Sequence, residues 1–159
     1  MSKLKKTNAM RILDKEKIEY SIMTYQTSDG MNDAISVANK VNELPERVFK
    51  TLVLIGKSNE LYVCVIPANE KLSLKKVSKL TGEKNVEMLP VNKLLSKTGY
   101  IKGGCSPIGM RKKYITYFHE SILNLDKVTL SAGHLGVQII VNPKDLIEIS
   151  EGTVKNIIQ

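Results

Sequence analysis

A single lysine stands at the start of the otherwise apolar run Phe49-Lys50-Thr51-Leu52-Val53-Leu54-Ile55. An ammonium group at the end of a buried strand is costly unless it is paired or reaches water. Chains keep such a charge more readily where it has a task, which makes Lys50 the first candidate for catalysis. The competing reading is a lysine whose stem covers apolar surface while its head reaches solvent. A second feature is the loop Gly99-Tyr100-Ile101-Lys102-Gly103-Gly104-Cys105-Ser106-Pro107-Ile108-Gly109. Gly103 and Gly104 lack side chains and tolerate positive φ, so their N–H groups can face a pocket. Pro107 stiffens the turn and Ser106 adds a hydroxyl. Such a loop can hold a phosphate, a carboxylate or a polarised carbonyl. It lacks the closing Gly-Lys-Ser/Thr of a nucleotide P-loop, which disfavours ATP. The third feature is Ser131-Ala132-Gly133-His134-Leu135-Gly136. By itself it reads as a hairpin turn with its required glycines. Its functional reading has Ser131 and the Gly133 backbone facing the same pocket as Lys50.

Other chemistry is less well supported. Cys105 sits in the glycine-rich loop, where a thiolate nucleophile is conceivable, but no adjacent base is visible. A Ser106–His134 pair would need an orienting carboxylate that the sequence does not offer. The two cysteines, Cys64 and Cys105, and the two histidines, His119 and His134, show no metal-ligand spacing, so neither a metal nor another cofactor is expected.

The elements that must position these residues follow from periodicity. Thr7 to Lys17 reads as a helix capped by Thr7, with Met10, Ile12 and Leu13 on one side. Glu19 to Tyr25 alternates like a strand, and Thr27-Ser28-Asp29-Gly30 is a turn. Ala34, Val37, Ala38 and Val41 mark one face of a second helix. After a helical turn at Leu44-Pro45-Glu46, Phe49 to Ile55 and Leu61 to Ile66 form a hairpin around Lys57-Ser58-Asn59. A helix from Ser73 stops near Gly82, a strand spans Asn85 to Met88, and a short helix spans Val91 to Leu95. Tyr114 to Phe118, Val128 to Ser131 and Val137 to Val141 are strands. Asn142 and Pro143 open the last helix. Short strands in hairpin order, punctuated by short helices, predict a single α+β domain over 1–159 with a curved, mostly antiparallel or mixed sheet.

Composition agrees with that size and class. The chain has 159 residues, 42% hydrophobic and 25% charged, which suits one domain with its own core. No apolar run is long enough to span a membrane. The basic start, Met1-Ser2-Lys3-Leu4-Lys5-Lys6, is not followed by the apolar stretch of a secretory signal. A cytoplasmic protein is expected. The net charge of +8 comes from lysines spread along the chain, a surface that favours polyanions. With two Phe and no Trp, a platform for stacking bases is not evident.

Together, Phe49-Lys50-Thr51-Leu52, the loop from Gly99 to Gly109, Ser131-Ala132-Gly133 with Gly136, and Pro143-Lys144-Asp145-Leu146 resemble the YbaK/EbsC proteins. These are relatives of the editing domain inserted in bacterial prolyl-tRNA synthetases. The resemblance runs from Thr7-Asn8-Ala9 to the C-terminal helix. It implies a curved, mostly antiparallel sheet flanked by helices, and hydrolysis of the ester joining a wrong amino acid to tRNA. The family's essential strand lysine corresponds to Lys50, and its pocket threonine to Thr51. The tyrosine closing the first strand corresponds to Tyr25, the loop glycine to Gly103, and the serine before the last hairpin to Ser131. Family members often carry an aromatic residue after the first strand, where this chain has Ser28-Asp29-Gly30-Met31. They often carry an aliphatic residue where this chain has Cys105.

The resemblance further implies removal of cysteine from tRNA(Pro), and also from tRNA(Cys), largely by the substrate's own thiol. Lys50 would be the catalytic residue. Tyr25, Thr51, Gly103, Gly104, Ser106, Ser131 and Gly133 would bind the substrate. The expected partners are the 3′ CCA end of an aminoacyl-tRNA and a prolyl-tRNA synthetase. Two alternatives stand beside this: a deacylase for Ala-tRNA(Pro) or another aminoacyl-tRNA that uses water, and a module that binds the CCA end without turnover.

Overall fold

Thr7 accepts a hydrogen bond from the Met10 N–H and so caps α1 (Asn8–Lys15), whose Ala9, Met10 and Leu13 are buried. The Thr7 hydroxyl also donates to the Ala132 carbonyl, 2.5 Å away, tying the helix to a strand far along the chain. These positions come from a computed structural model that describes residues 5–159, so Lys3 lies outside it while Lys5 and Lys6 of the basic start lie within it. β1 (Tyr20–Thr24) follows, and then α2 (Ala34–Lys40), capped by Asp33 and burying Val37 and Ala38. One 3-10 turn, Pro45–Arg47, leads into the hairpin of β2 (Phe49–Gly56) and β3 (Leu61–Pro67). α3 (Leu74–Thr81) starts at the Ser73 cap and stops at Gly82, which takes a φ of +76°. β4 (Val86–Met88), α4 (Val91–Thr98) and β5 (Ile115–His119) come next. β6 (Val128–His134) and β7 (Val137–Val141) form a second hairpin. α5 (Pro143–Ile149), capped by Asn142, and β8 (Thr153–Lys155) complete the chain.

The α+β class is the observed one, with one difference in layout. The expected single sheet is divided into a three-stranded sheet, β1-β7-β6, and a five-stranded sheet, β4-β2-β3-β5-β8. The first is antiparallel throughout. The second is mixed, because β5 runs parallel to both β3 and β8. β8 is absent from the sequence reading: three residues with only Val154 partly buried carry no alternation to detect.

β3 lies in the middle of its sheet and is buried along its whole length, so both faces of this sheet are covered. Val63 and Val65 join Phe49 and Val53 against Leu130, Ile139 and Val141 of the other sheet. Tyr62, Cys64 and Ile66 face the opposite way and pack with Leu54, Val77 and Ile157. Full burial of each large apolar side chain stabilises the fold by about 1.5–3 kcal/mol. The two sheets meet where Val48 bridges Thr129 in parallel. This junction carries the first residues of β2 to the side of β6, and so sets Lys50 near Ser131.

Candidate active site

At that junction lies a cavity of about 490 Å³, within the range that holds a small ligand. Four segments wall it. The start of β2 supplies Lys50, Thr51 and Leu52, and the loop into α2 supplies Gly30, Asn32 and Asp33. The glycine-rich loop supplies Lys102, Gly103 and Cys105. The β6–β7 hairpin supplies Ser131, Leu135 and Gln138.

Lys50 stands opposite Ile66 in the β2–β3 register, at the end of the hairpin. Its Nζ donates to the Ala68 carbonyl at 3.1 Å. No carboxylate forms a salt bridge with it among the described residues. Burial pushes its pKa below the ordinary 10.5, and the more distant charges of Glu70 and Asp33 only partly offset this. The result is a half-buried cation held by one carbonyl, with donors to spare for a ligand oxygen. Thr51, beside it, has a buried Oγ1 with no hydrogen-bond partner among the described residues, and the Oδ1 of Asn32 is in the same condition. Buried polar atoms normally find partners, so these two oxygens of the cavity lining are free to accept from or donate to a ligand or water.

Gly103 has a φ of +84°, and a Cβ there would lie 2.8 Å from Leu135 Cδ1. Gly104 is a glycine for another reason. A Cβ at this position would meet the Leu135 backbone nitrogen at 3.0 Å and the His134 carbonyl carbon at 3.2 Å. Its own N–H is spent on the Ile101 carbonyl. The loop therefore uses Gly104 for close approach of the hairpin, and the Gly104 N–H is not free for a ligand. Ser131 Oγ accepts from the Gly133 N–H at 3.2 Å, so its own proton is available to an acceptor in the cavity. A bulge between Ser131 and His134 makes that local bond feasible.

Of the expected site residues, Lys50, Thr51, Gly103 and Ser131 line the cavity together. Tyr25, Gly104, Ser106 and Gly133 lie outside its lining. Ser106 is fully buried, and its Oγ accepts the Ile108 N–H, a structural role instead of a binding one. A Cβ at Gly133 would lie 2.8 Å from the Tyr100 ring, so this glycine admits Tyr100 beneath the hairpin. Tyr25 follows β1, donates its N–H to the Gly136 carbonyl, and lies beneath the Lys40 ammonium, 5.8 Å from its ring centroid. Lys40 also binds the carbonyls of Gln26 and Met31 and the Asp29 carboxylate. Tyr25 and Lys40 thus shape the loop that forms one wall.

Neither alternative nucleophile is equipped. Cys105 lines the cavity, but burial pushes its thiol up to about 12, so it stays protonated at neutral pH. Ser106 and His134 are not paired, because the His134 ring Nδ1 lies against the Leu135 carbonyl. His119 is buried elsewhere, its Nδ1 accepting from the Ile157 N–H. Asp33, the one carboxylate in the lining, caps α2 through the Ser36 N–H and hydroxyl, and those bonds hold it below the usual carboxylate range. Among the described residues no His, Cys, Asp and Glu gather as a metal site. No helix among them is long and apolar enough to cross a membrane.

Sequence reasoning missed Asn32, Leu135 and Gln138. Gln138 carried a readable signal: it is a buried amide inside the apolar strand Val137–Val141, and it pairs with Ser131 across the hairpin. Asn32 sits in a turn cluster where polar residues are common, so nothing set it apart.

The family described as the aminoacyl-tRNA editing domain matches residues 29–149. EbsC of Enterococcus faecalis, named as a candidate Cys-tRNA(Pro)/Cys-tRNA(Cys) deacylase, is 42% identical over 92% of this chain and 90% of its own. The uncharacterised YwhH of Bacillus subtilis is 26% identical over 83% and 82%. The crystal structure of a candidate trans-editing enzyme for prolyl-tRNA synthetase superposes with a TM-score of 0.82. It is 20% identical and covers 96% of this chain and 97% of its own, a likeness of fold.

Proposed function

The chain belongs to the family of aminoacyl-tRNA editing domains, and from that premise we propose that it removes mischarged cysteine from tRNA(Pro), and cysteine from its cognate tRNA(Cys) as well, acting in trans as a cytoplasmic deacylase. One observation supports this above the others. Lys50, Gly103 and Ser131 line one cavity together, and the Cys105 thiol beside them is pushed up to about 12 by burial, so it offers no ready nucleophile. Such a site suits a substrate that brings its nucleophile with it. The cysteinyl thiol attacks the carbonyl carbon of its own ester. A sulfur–carbon bond forms, the bond to the ribose oxygen breaks, and the thiol proton passes to that oxygen. The tRNA leaves with a free hydroxyl, and the amino acid leaves as a cyclic thiolactone.

In this reading the protein supplies position and charge. Lys50 holds the terminal phosphate or the ribose of the CCA end. Gly103 donates its N–H to the carbonyl oxygen as it becomes an oxyanion, an interaction whose loss typically costs on the order of 3 kcal/mol of barrier. Thr51 and Ser131 fix the substrate's polar atoms. The +8 surface draws in the tRNA, so affinity falls as salt rises.

The test is a deacylation panel of Cys-, Ala- and Ser-tRNA, with and without a prolyl-tRNA synthetase. Selective loss of cysteine supports the proposal, and a gain with the synthetase identifies that enzyme as the partner. Hydrolysis of Ala-tRNA(Pro) at an equal rate replaces the thiol route with one that uses water. Aminoacyl-tRNA that is bound but not hydrolysed makes the protein a CCA-end binding module. An affinity indifferent to salt removes tRNA as the ligand.

A further inference from the structure

We propose that Leu135 sets the upper size of the amino acid that the cavity accepts. The inference rests on the deacylase reading and extends it to specificity. Most of the cavity's apolar wall is not free to select. Val37, Val48 and Phe49 are only 4%, 2% and 2% exposed, and their side chains belong to the core. Leu135 differs in three respects. It is half-buried, it sits at the tip of the β6–β7 hairpin, and its Cδ1 lies directly over Gly103.

The tip is held in place from several directions. Gly133 and Gly136 flank it with φ of +98° and +94°. The Gly136 carbonyl accepts from the Tyr25 N–H at 2.9 Å. The Leu135 backbone nitrogen would lie only 3.0 Å from a Cβ at Gly104, so loop and hairpin pack closely there. A side chain on so fixed a backbone acts as a wall, not a flap.

An ester carbonyl held at Gly103 places the amino acid's α-carbon one bond beyond the carbonyl carbon. The isobutyl group of Leu135 is then the apolar surface beside the acyl group. Cysteine and alanine fit beneath it, and branched side chains meet it. A single methylene in such a pocket is worth about tenfold to a few hundredfold in discrimination.

The experiment uses full-length protein and non-hydrolysable tRNA(Pro) that carries alanine, cysteine, valine or leucine through an amide link. Binding is measured for the wild type, Leu135→Ala and Leu135→Phe. The wild type should hold the leucyl form at least tenfold more weakly than the alanyl form. Leu135→Ala should bring that ratio to within about threefold. Leu135→Phe should weaken the cysteinyl form relative to the alanyl form. Loosening of the glycine loop alone would weaken all four ligands together and leave the ratios where they were. Unchanged ratios in both variants overturn the proposal. If the ratios shift as expected while the wild type hydrolyses no ester-linked aminoacyl-tRNA, the size filter stands and the deacylase reading falls.

Discussion

The two ends of the β2–β3 hairpin each carry a polar cluster, and the two are in opposite condition. At the turn end, Glu83 accepts from the Ser58 N–H, the Ser58 hydroxyl and the Tyr62 hydroxyl, the last at 2.6 Å. Those bonds hold its carboxyl below the usual carboxylate range. At the other end, Lys50 has a single carbonyl partner, and Thr51 and nearby Asn32 keep buried oxygens with none among the described residues. A saturated cluster has nothing to offer a ligand, so it serves the fold. An unsaturated cluster bears a cost of about 1–3 kcal/mol for each buried orphan, which a ligand can remove. The difference leaves polar groups for a ligand at the Lys50 end of the hairpin and none at the other.

The comparison breaks most directly at Lys50. Lys50→Ala should lower deacylation of Cys-tRNA by about a hundredfold or more, the scale of losing one electrostatic stabiliser of a developing charge. Its thermal melt should remain cooperative. Near wild-type turnover would show that the unsaturated end is not the catalytic one. Gly103→Ala should come next, with roughly a tenfold loss. A Cβ there must displace Leu135 Cδ1, and the backbone φ of +84° costs a side-chain-bearing residue about 1–2 kcal/mol. The same substitution at Gly82, whose φ is also positive but whose Cβ position is open, should lower stability and spare turnover.

How far the sequence reveals the site follows from the same contrast. As residues of the cavity lining, Lys50 was legible because a charge inside an apolar strand violates its surroundings, and Gly103 because paired glycines announce unusual backbone. The resemblance added Thr51 and Ser131. Ser106 and Gly104 fall outside the cavity lining for one reason: loop composition does not tell a group that faces a cavity from one that holds the loop together. In three dimensions Ser106 serves Ile108, and Gly104 yields space to Leu135. Leu135 could not be singled out, since its importance comes from a contact between segments about thirty residues apart in the chain. In the fold, the hairpins and capped helices were readable from local pattern. The parallel pairing of β3 with β5 and the short β8 were not, because both depend on long-range packing.

At the saturated end the effects should be smaller and should spare activity. Tyr62→Phe removes one donor from Glu83 while Ser58 still holds the carboxylate, so stability should fall by about 1 kcal/mol or less in a denaturant titration. A drop in turnover that matched Lys50→Ala would erase the distinction between the two ends. Cys105→Ala should keep most of its activity, because a thiol pushed up to about 12 supplies no thiolate at neutral pH. Complete loss in a folded variant would restore the nucleophile.

The subtlest effect is a matter of sign with pH. Burial holds the folded-state pKa of Lys50 below the unfolded 10.5. Between those two values the unfolded chain keeps its proton while the folded protein has released its own, so wild-type stability rises with pH across that window. Tyr62 runs the other way. Burial first, and then its bond to Glu83, push its hydroxyl up to about 12, so the stability it contributes is whole below pH 10 and declines toward 12. Lys50→Met removes the first term and Tyr62→Phe the second. Relative to Lys50→Met, the wild type should therefore gain stability as pH climbs toward 10.5. Relative to Tyr62→Phe, it should lose stability only above pH 10. The lost bond to the Ala68 carbonyl shifts the Lys50→Met curve by an offset but not its slope. Melting curves at intervals from pH 7 to 11 decide the matter, and parallel slopes for wild type and Lys50→Met would mean that the ammonium is as well solvated as a surface lysine.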